Sequence, residues 1–469
     1  MKAKPTIIVG GGPAGLAAGY ELTKHNIPCV IYEKNYHLGG IASTIEYKGF
    51  HFDTGGHRFF SKNKEINELW QNVMGEDFLD RPRLSRIYYN KKWFNYPLKL
   101  FEVIRNLGLK QSCLIFSSYL KAKLFPYKPE NSFEEWVSNR FGKRLYEMFF
   151  KSYTEKVWGI PCTELSAEWA AQRIKNLNLI TAVMNALFGN RGNKIKTLID
   201  RFKYPKLGPG MMWAKTADLI SKKGSNIYLG TEIVRINIVN DRVDRITVKD
   251  KSGEREQEIG QLISSMPIRE LVNKISPRTD QSIVDAANKL RYRDFITVAL
   301  VIEEANMFPD NWIYVHSPEV KMGRIQNANN WSPYMVMDKT KTCLGLEYFC
   351  FENDGMWDMA DEKLIELGIS ELVMLGLLKD KNKVKDGKVI RVPKAYPIYD
   401  PGYKENLSII RNYLEKIKNL QSIGRNGMHR YNNMDHSMLT GIMAARNIMG
   451  ENHELWSVNA DEEYLEASN

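Results

Sequence analysis

Cysteine is scarce in this chain and nowhere paired. Cys29, Cys113, Cys162, Cys343 and Cys350 stand far apart in 469 residues, and no C-x-x-C occurs. That spacing argues against a structural zinc site and a disulfide framework, and suits a reducing compartment. Histidine is also sparse: the eight residues include no H-E-x-x-H, so no metal chemistry is expected. No apolar run reaches the roughly 18 residues that a membrane span needs. The first strand-like run opens at Thr6, which leaves no room for a signal peptide before it. The expected location is cytoplasmic. A dense basic tract is missing too. The formal charge of +11 is carried by scattered lysines, so nucleic acid is not the expected partner. The charge still favours an anionic partner, such as a phosphorylated small molecule or a membrane surface, although a solvated surface accounts for most of it.

What the chain does have is glycine in the right places. With 43% hydrophobic and 26% charged residues it has globular composition, and its length calls for two or more domains. The first forty residues organise the rest. Thr6-Ile7-Ile8-Val9 reads as a buried strand, and Ala14 to His25 as a helix. Between them Gly10, Gly12 and Gly15 fit G-x-G-x-x-G. Gly10 permits the tight turn, Gly12 lets backbone approach a pyrophosphate, and Gly15 lets helix and strand pack closely. The helix start aims N–H groups at the anion. A second strand, Cys29 to Tyr32, ends at Glu33, about 20 residues on, where an acid can accept a ribose hydroxyl.

Further along, Gly39-Gly40 and Asp53-Thr54-Gly55-Gly56-His57 imply close approach of backbone to another group. Thr44 to Phe52 and Leu84 to Tyr96 read as hairpins. From Leu98 to Leu187 helical periodicity dominates, with a capping box at Ser132 and Glu135. The stretch Phe94 to Phe125 is apolar and basic. A helix pair packed on the body is the favoured reading, and peripheral membrane contact the other. Residues 189–210 look loop-rich. Strands between Ile227 and Ser265 return to the coenzyme-binding part, and Phe295 to Phe351 alternates like an antiparallel sheet. Near the end, a strand Leu420 to Ile423 runs into Gly424-Arg425-Asn426-Gly427, a polar stretch and a helix from Met438 to Met449. Met434 to Ser437 would open that helix and donate N–H groups to a second anion cradle.

These motifs resemble the FAD-binding two-dinucleotide superfamily of amine oxidases, protoporphyrinogen oxidases and phytoene desaturases, and within it UDP-galactopyranose mutases. The likeness is carried by Gly55-Gly56-His57, by Lys156-Val157-Trp158-Gly159-Ile160-Pro161, by Asn330-Trp331-Ser332-Pro333-Tyr334 and by Arg430-Tyr431-Asn432-Asn433-Met434-Asp435. It departs at Asn433, where many bacterial mutases have Asp, and at Trp331, where they have Tyr. The resemblance implies an α/β fold. A discontinuous Rossmann-like FAD-binding domain would comprise residues 1–80, 205–290 and 386–455. A helical insertion would occupy 81–204, and an antiparallel substrate sheet 291–385. It implies FAD contacts from Gly10, Gly12, Pro13, Ala14, Gly15, Glu33, Lys34, Gly39, Gly40, Gly55, Gly56, His57, Val234, Gly424, Arg425, Asn433, Met434 and Ser437. It implies a nucleotide-sugar substrate held by Arg173, Arg324, Trp331, Tyr334, Tyr403 and Tyr431, with His57, Arg173 and Arg324 at the chemistry. In that family the reduced flavin N5 attacks the anomeric carbon, in the service of cell-surface glycan synthesis. A flavin oxidase or dehydrogenase is the alternative, and a non-enzymatic prenyl-binding escort the third. A homo-oligomer is compatible with all three.

Overall fold

The run Thr6–Val9 forms the central strand of a five-stranded parallel sheet in the computed structural model, which describes residues 4–96, 100–167 and 201–459. Leu420–Ser422 and Gln261–Ser264 lie on one side of it, Cys29–Tyr32 and Asn226–Tyr228 on the other. A parallel sheet needs cover on both faces, hence the unbroken apolar runs. Ile8 packs with the helices Pro13–Lys24, Pro209–Lys222 and Met434–Ile448. Ile7, on the opposite face, packs with the sheet Glu232–Val239 and Arg242–Asp250 and the helix Tyr403–Leu414. The sheet thus draws strands from three separate stretches of chain, as expected for a discontinuous domain.

A second sheet has seven strands, in the order Val384–Pro397, Tyr292–Ile302, Thr342–Cys350, Arg324–Asn327, Trp312–Val315, Ser85–Tyr89, Lys92–Asn95. Tyr292–Ile302 is buried along its whole length. Its side chains alternate: Phe295, Ala299 and Val301 face one core, and Ile296, Val298, Leu300 and Ile302 the other. The second core is closed by the helix Asp361–Leu375 through Leu364, Leu372 and Leu375. The first is shared with the helices between Leu100 and Trp158 and leaves room for a site. The expected capping box is present: Glu135 accepts from the Ser132 N–H at 3.0 Å, and its own N–H donates to Ser132 Oγ at 3.3 Å.

The fold differs from expectation in four places. The hairpin assigned to the helical insertion belongs to the seven-stranded sheet, where Ser85–Tyr89 runs parallel to Trp312–Val315. At the other edge, Val384–Pro397 runs through the expected boundary at 385. Ile87 and Tyr88 bury toward opposite cores, which only a sheet position allows. Within the stretch read as loop-rich, Arg201–Pro205 is a strand paired with Phe78–Pro82. Finally, the last helix opens at Met434 rather than Met438, because Asn433 serves as its N-cap and the polar first turn lies at the helix end.

Candidate functional site

Gly10 has φ +99°, and a Cβ there would lie 2.2 Å from Ser265 Oγ. A Cβ on Gly15 would lie 2.0 Å from the Gly10 carbonyl oxygen. Both positions therefore require glycine. Gly12 is different: a Cβ there would meet nothing nearer than Gly40 Cα at 3.8 Å. The space before Gly12 and Gly40 is where a pyrophosphate would enter. The first helix begins there with Pro13 at its first turn, and no side chain caps it. Its leading amides are left for an anion. Glu33 is buried at the end of the second strand. Its Oε2 accepts from the Gly11 N–H at 2.7 Å and its Oε1 from the Asn35 N–H at 2.8 Å. Each oxygen keeps a lone pair for a ribose hydroxyl, so the acid both sets the loop and faces the ligand.

The closing cradle lies against the opening one. Gly424 has φ +78°, and a Cβ there would meet the Ala14 Cβ at 3.0 Å. Gly441 lets the last helix pack on the first, since a Cβ there would lie 2.1 Å from the Ala14 carbonyl oxygen. At the start of the last helix, Asn433 N–H donates to His436 Nδ1 at 3.4 Å, so His436 acts as a cap. Asp435 accepts from Ser61 Oγ at 2.9 Å through Oδ2, while its buried Oδ1 has no hydrogen-bond partner.

Beside these turns a cluster of charged and aromatic side chains gathers on the seven-stranded sheet. Arg324, 14% exposed, donates from Nε to Tyr153 Oη at 2.7 Å and from Nη1 to Glu347 Oε2 at 3.2 Å and Tyr396 Oη at 3.4 Å. The rings of Trp312 and Phe349 flank its guanidinium at 5.5 and 5.0 Å. Burial opposes its charge, but Tyr153, Tyr396 and Glu347 hold it ionised. Tyr396 stacks on Tyr431 at 5.7 Å, and Arg425 lies 4.6 Å from the Tyr431 ring. Arg425 donates from Nε to Asn432 O at 2.8 Å and from Nη1 to Ala395 O at 3.0 Å. His57 sits between the regions. Burial, reinforced by Arg425 and then Arg324, pushes its ring down to about 4, so it is neutral at pH 7. Its Nε2 is buried and has no hydrogen-bond partner. Gly56 must be glycine, because a Cβ would lie 2.4 Å from the Trp312 ring.

The NAD(P)-binding Rossmann-like domain family matches residues 8–73. A probable UDP-galactopyranose mutase of Klebsiella pneumoniae is 28% identical over 179 residues, 36% of this chain and 44% of that protein. A 4,4'-diapophytoene desaturase of a Methylomonas species is 38% identical over 87 residues, 18% of this chain and 17% of that one. The chain thus spans less than half the length of these curated relatives. The crystal structure of reduced UDP-galactopyranose mutase superposes with TM-score 0.85 at 23% identity, covering 98% of both chains. The chain has the fold of UDP-galactopyranose mutase. The fold is shared more broadly: putrescine oxidase bound to putrescine superposes with TM-score 0.61 at 16% identity, over 96% of this chain and 99% of that one.

Within this mutase fold the expected residues separate into groups. Gly10, Gly12, Pro13, Ala14, Gly15, Gly39 and Gly40 gather at the first cradle, and Gly424, Arg425, Asn433, Met434 and Ser437 at the second. His57, Arg324 and Tyr431 belong to the charged and aromatic cluster. Trp331 is buried one ring behind Trp312, 6.1 Å away. Tyr403 stacks on Tyr399 at 4.5 Å, and Tyr399 Oη accepts from the Tyr431 N–H at 2.7 Å. Tyr403 is therefore behind the cluster. Tyr334 is half-exposed with Lys206 over its ring, and Lys34 is exposed after the second strand. Val234 lies at a register shift of the strand Glu232–Val239. Arg173 lies outside the described residues. Sequence reasoning missed Tyr153, Trp312, Glu347 and Tyr396. The first three stand in unremarkable helix and strand patterns. Tyr396 sits in the run Ala395 to Asp400, which carries no recognisable motif. Among the described residues no cluster of His, Cys, Asp and Glu could hold a metal, and no helix is long and apolar enough to cross a membrane.

Proposed function

We propose that this chain binds FAD and acts as a nucleotide-sugar pyranose–furanose mutase-like enzyme. The two joined cradles fit such a cofactor. The space before Gly12 and Gly40 fits its pyrophosphate, and Glu33 its ribose. The unpartnered His57 Nε2 and Asp435 Oδ1 mark polar groups still able to bond a ligand. When bound in reduced form, FAD supplies a nucleophilic nitrogen for the anomeric carbon.

The observation that carries the substrate class is the positive charge of this cluster. Arg324 and Arg425 flank the stacked Tyr396 and Tyr431, where an apolar substrate would want a greasy tunnel. Guanidinium forks suit phosphate oxygens, and the phenols add neutral donors. Trp312 and Phe349 shield Arg324 from water and strengthen its attraction for an anion. His57, neutral, accepts or donates a single hydrogen bond without adding charge. Arg173 is proposed as a second phosphate-binding arginine, and glycan synthesis as the setting.

A flavin oxidase or dehydrogenase is the second reading. Glu347 favours it, because this buried carboxylate already neutralises Arg324. The deciding experiment incubates dithionite-reduced protein with a panel of nucleoside-diphosphate sugars. Redox-neutral ring isomerisation of one of them is the expected result. Net consumption of oxygen or another acceptor, with no isomerisation, would transfer the assignment to the oxidase. Protein without flavin absorbance after reconstitution would end both readings in favour of an escort.

A further inference from the structure

The helix Leu109–Leu124 is apolar on two faces, and among the described residues only one of them is packed. Ile115 and Tyr119 are buried against the turn at Gly142, where a Cβ would lie 2.7 Å from the Tyr119 backbone nitrogen. Ser118 Oγ accepts from the Arg144 N–H at 3.0 Å, and Arg144 Nη2 donates to Gln111 at 2.9 Å. The helix is firmly seated. On the far side Leu109, Cys113, Phe116, Leu120 and Leu124 follow helical spacing along one stripe, and all five are exposed. Leu109 is 79%, Phe116 59% and Leu124 74% accessible, and Phe125 continues the patch. Single exposed leucines are ordinary, but a contiguous stripe marks a contact surface.

The charge around the stripe indicates what it meets. Between Glu102 and Glu130 the sequence has no acidic residue, while Arg105, Lys110, Lys121, Lys123 and Lys128 are all cationic and exposed. A second copy of the chain would bring like charges together. An anionic lipid surface would take the apolar stripe between its acyl chains and the lysines among its headgroups. We infer that the outer face of Leu109–Leu124 docks this protein on an anionic membrane surface. The inference does not depend on the reaction proposed above.

The test is co-sedimentation of the full-length protein with vesicles of phosphatidylcholine alone or mixed with phosphatidylglycerol. Wild type is expected to sediment with the mixed vesicles only, and less so as salt rises. Lys121→Glu with Lys123→Glu, both exposed and remote from the Arg324 cluster, should keep the melting temperature and lower partitioning by roughly 30-fold or more. Phe116→Ser with Leu120→Ser should lower it comparably and leave turnover of soluble substrate unchanged. Wild type that stays in the supernatant with mixed vesicles overturns the inference, as does equal binding to neutral vesicles or wild-type binding by both variants. A wild-type dimer that Phe116→Ser with Leu120→Ser renders monomeric would assign the stripe to a second copy instead.

Discussion

The dinucleotide cradle is shaped by glycines, whereas the Arg324 cluster beside it is made of side chains. In the cradle Gly10, Gly15, Gly424 and Gly441 matter for what they lack: Gly15 and Gly441 press on backbone carbonyl oxygens, Gly10 and Gly424 on Ser265 and Ala14. In the cluster the ends of Arg324, Glu347, Tyr153 and Tyr396 meet, delivered by strands and helices far apart in the chain. A glycine-shaped site fails sterically, whole and at once. A side-chain site fails by degrees, one hydrogen bond or charge at a time. Four measurements probe that difference.

The largest effect is expected from Gly15→Val. Its side chain would need the space held by the Gly10 carbonyl, which cannot retreat without moving the central strand. The protein should lose its flavin absorbance and most of its soluble yield. A fully yellow, soluble variant would show that the cradle is not sterically set.

Acid comes next. Burial pushes His57 and His429 down to about 4 and His316 to about 3. An unfolded histidine titrates near 6.5, so below that pH the unfolded chain binds more protons, and stability falls until the folded values are reached. Asp53 opposes this: burial lifts its carboxyl to about 7, so its contribution weakens the fold as pH rises from about 4 to 7. Three histidines against one carboxyl leave a net loss of roughly 3 kcal/mol between pH 7.5 and 5. Urea denaturation at the two pH values measures it, and equal midpoints would show that these rings are not held neutral.

Arg324→Ala tests the cluster alone. The variant should keep its flavin and lose about a hundred- to a thousandfold in kcat/KM, the usual cost of removing a buried charge that holds a reacting anion. It also strands Glu347, so adding Glu347→Ala should restore stability without restoring turnover. Unchanged turnover in the single variant would remove Arg324 from the site. The smallest effect is expected from Tyr396→Phe. The stack on Tyr431 survives and one hydroxyl is lost, so turnover should fall about tenfold or less, near 1 kcal/mol. A thousandfold loss would give that phenol a chemical role.

The same contrast explains what could be read in advance. Gly10, Gly12 and Gly15 lie within six residues, and their purpose follows from local geometry, so the cradle and Glu33 were legible. His57 and Tyr431 were legible only through a family likeness. Glu347 and Trp312 gave no local signal. Glu347 looks like one charged residue in an apolar strand, until the register Arg324↔Glu347 places it across from its partner. The hairpin Ser85–Tyr89 was read correctly as a hairpin and placed in the wrong domain, because pairing partners are not written in a strand's own pattern.

By itself the sequence determined where the chain must turn tightly, where helices begin, and that both ends carry a glycine-rich turn ahead of a helix. These depend on φ, on missing side chains and on neighbours a few residues away. Only the tertiary structure decided that the two turns meet at Ala14 and Gly424 and that Arg324 is caged by Tyr153, Trp312 and Glu347. It also left one stripe of the helix Leu109–Leu124 exposed among the described residues. Those outcomes depend on which distant surfaces pack together, and burial energy is shared among too many residues for any one stretch to specify it.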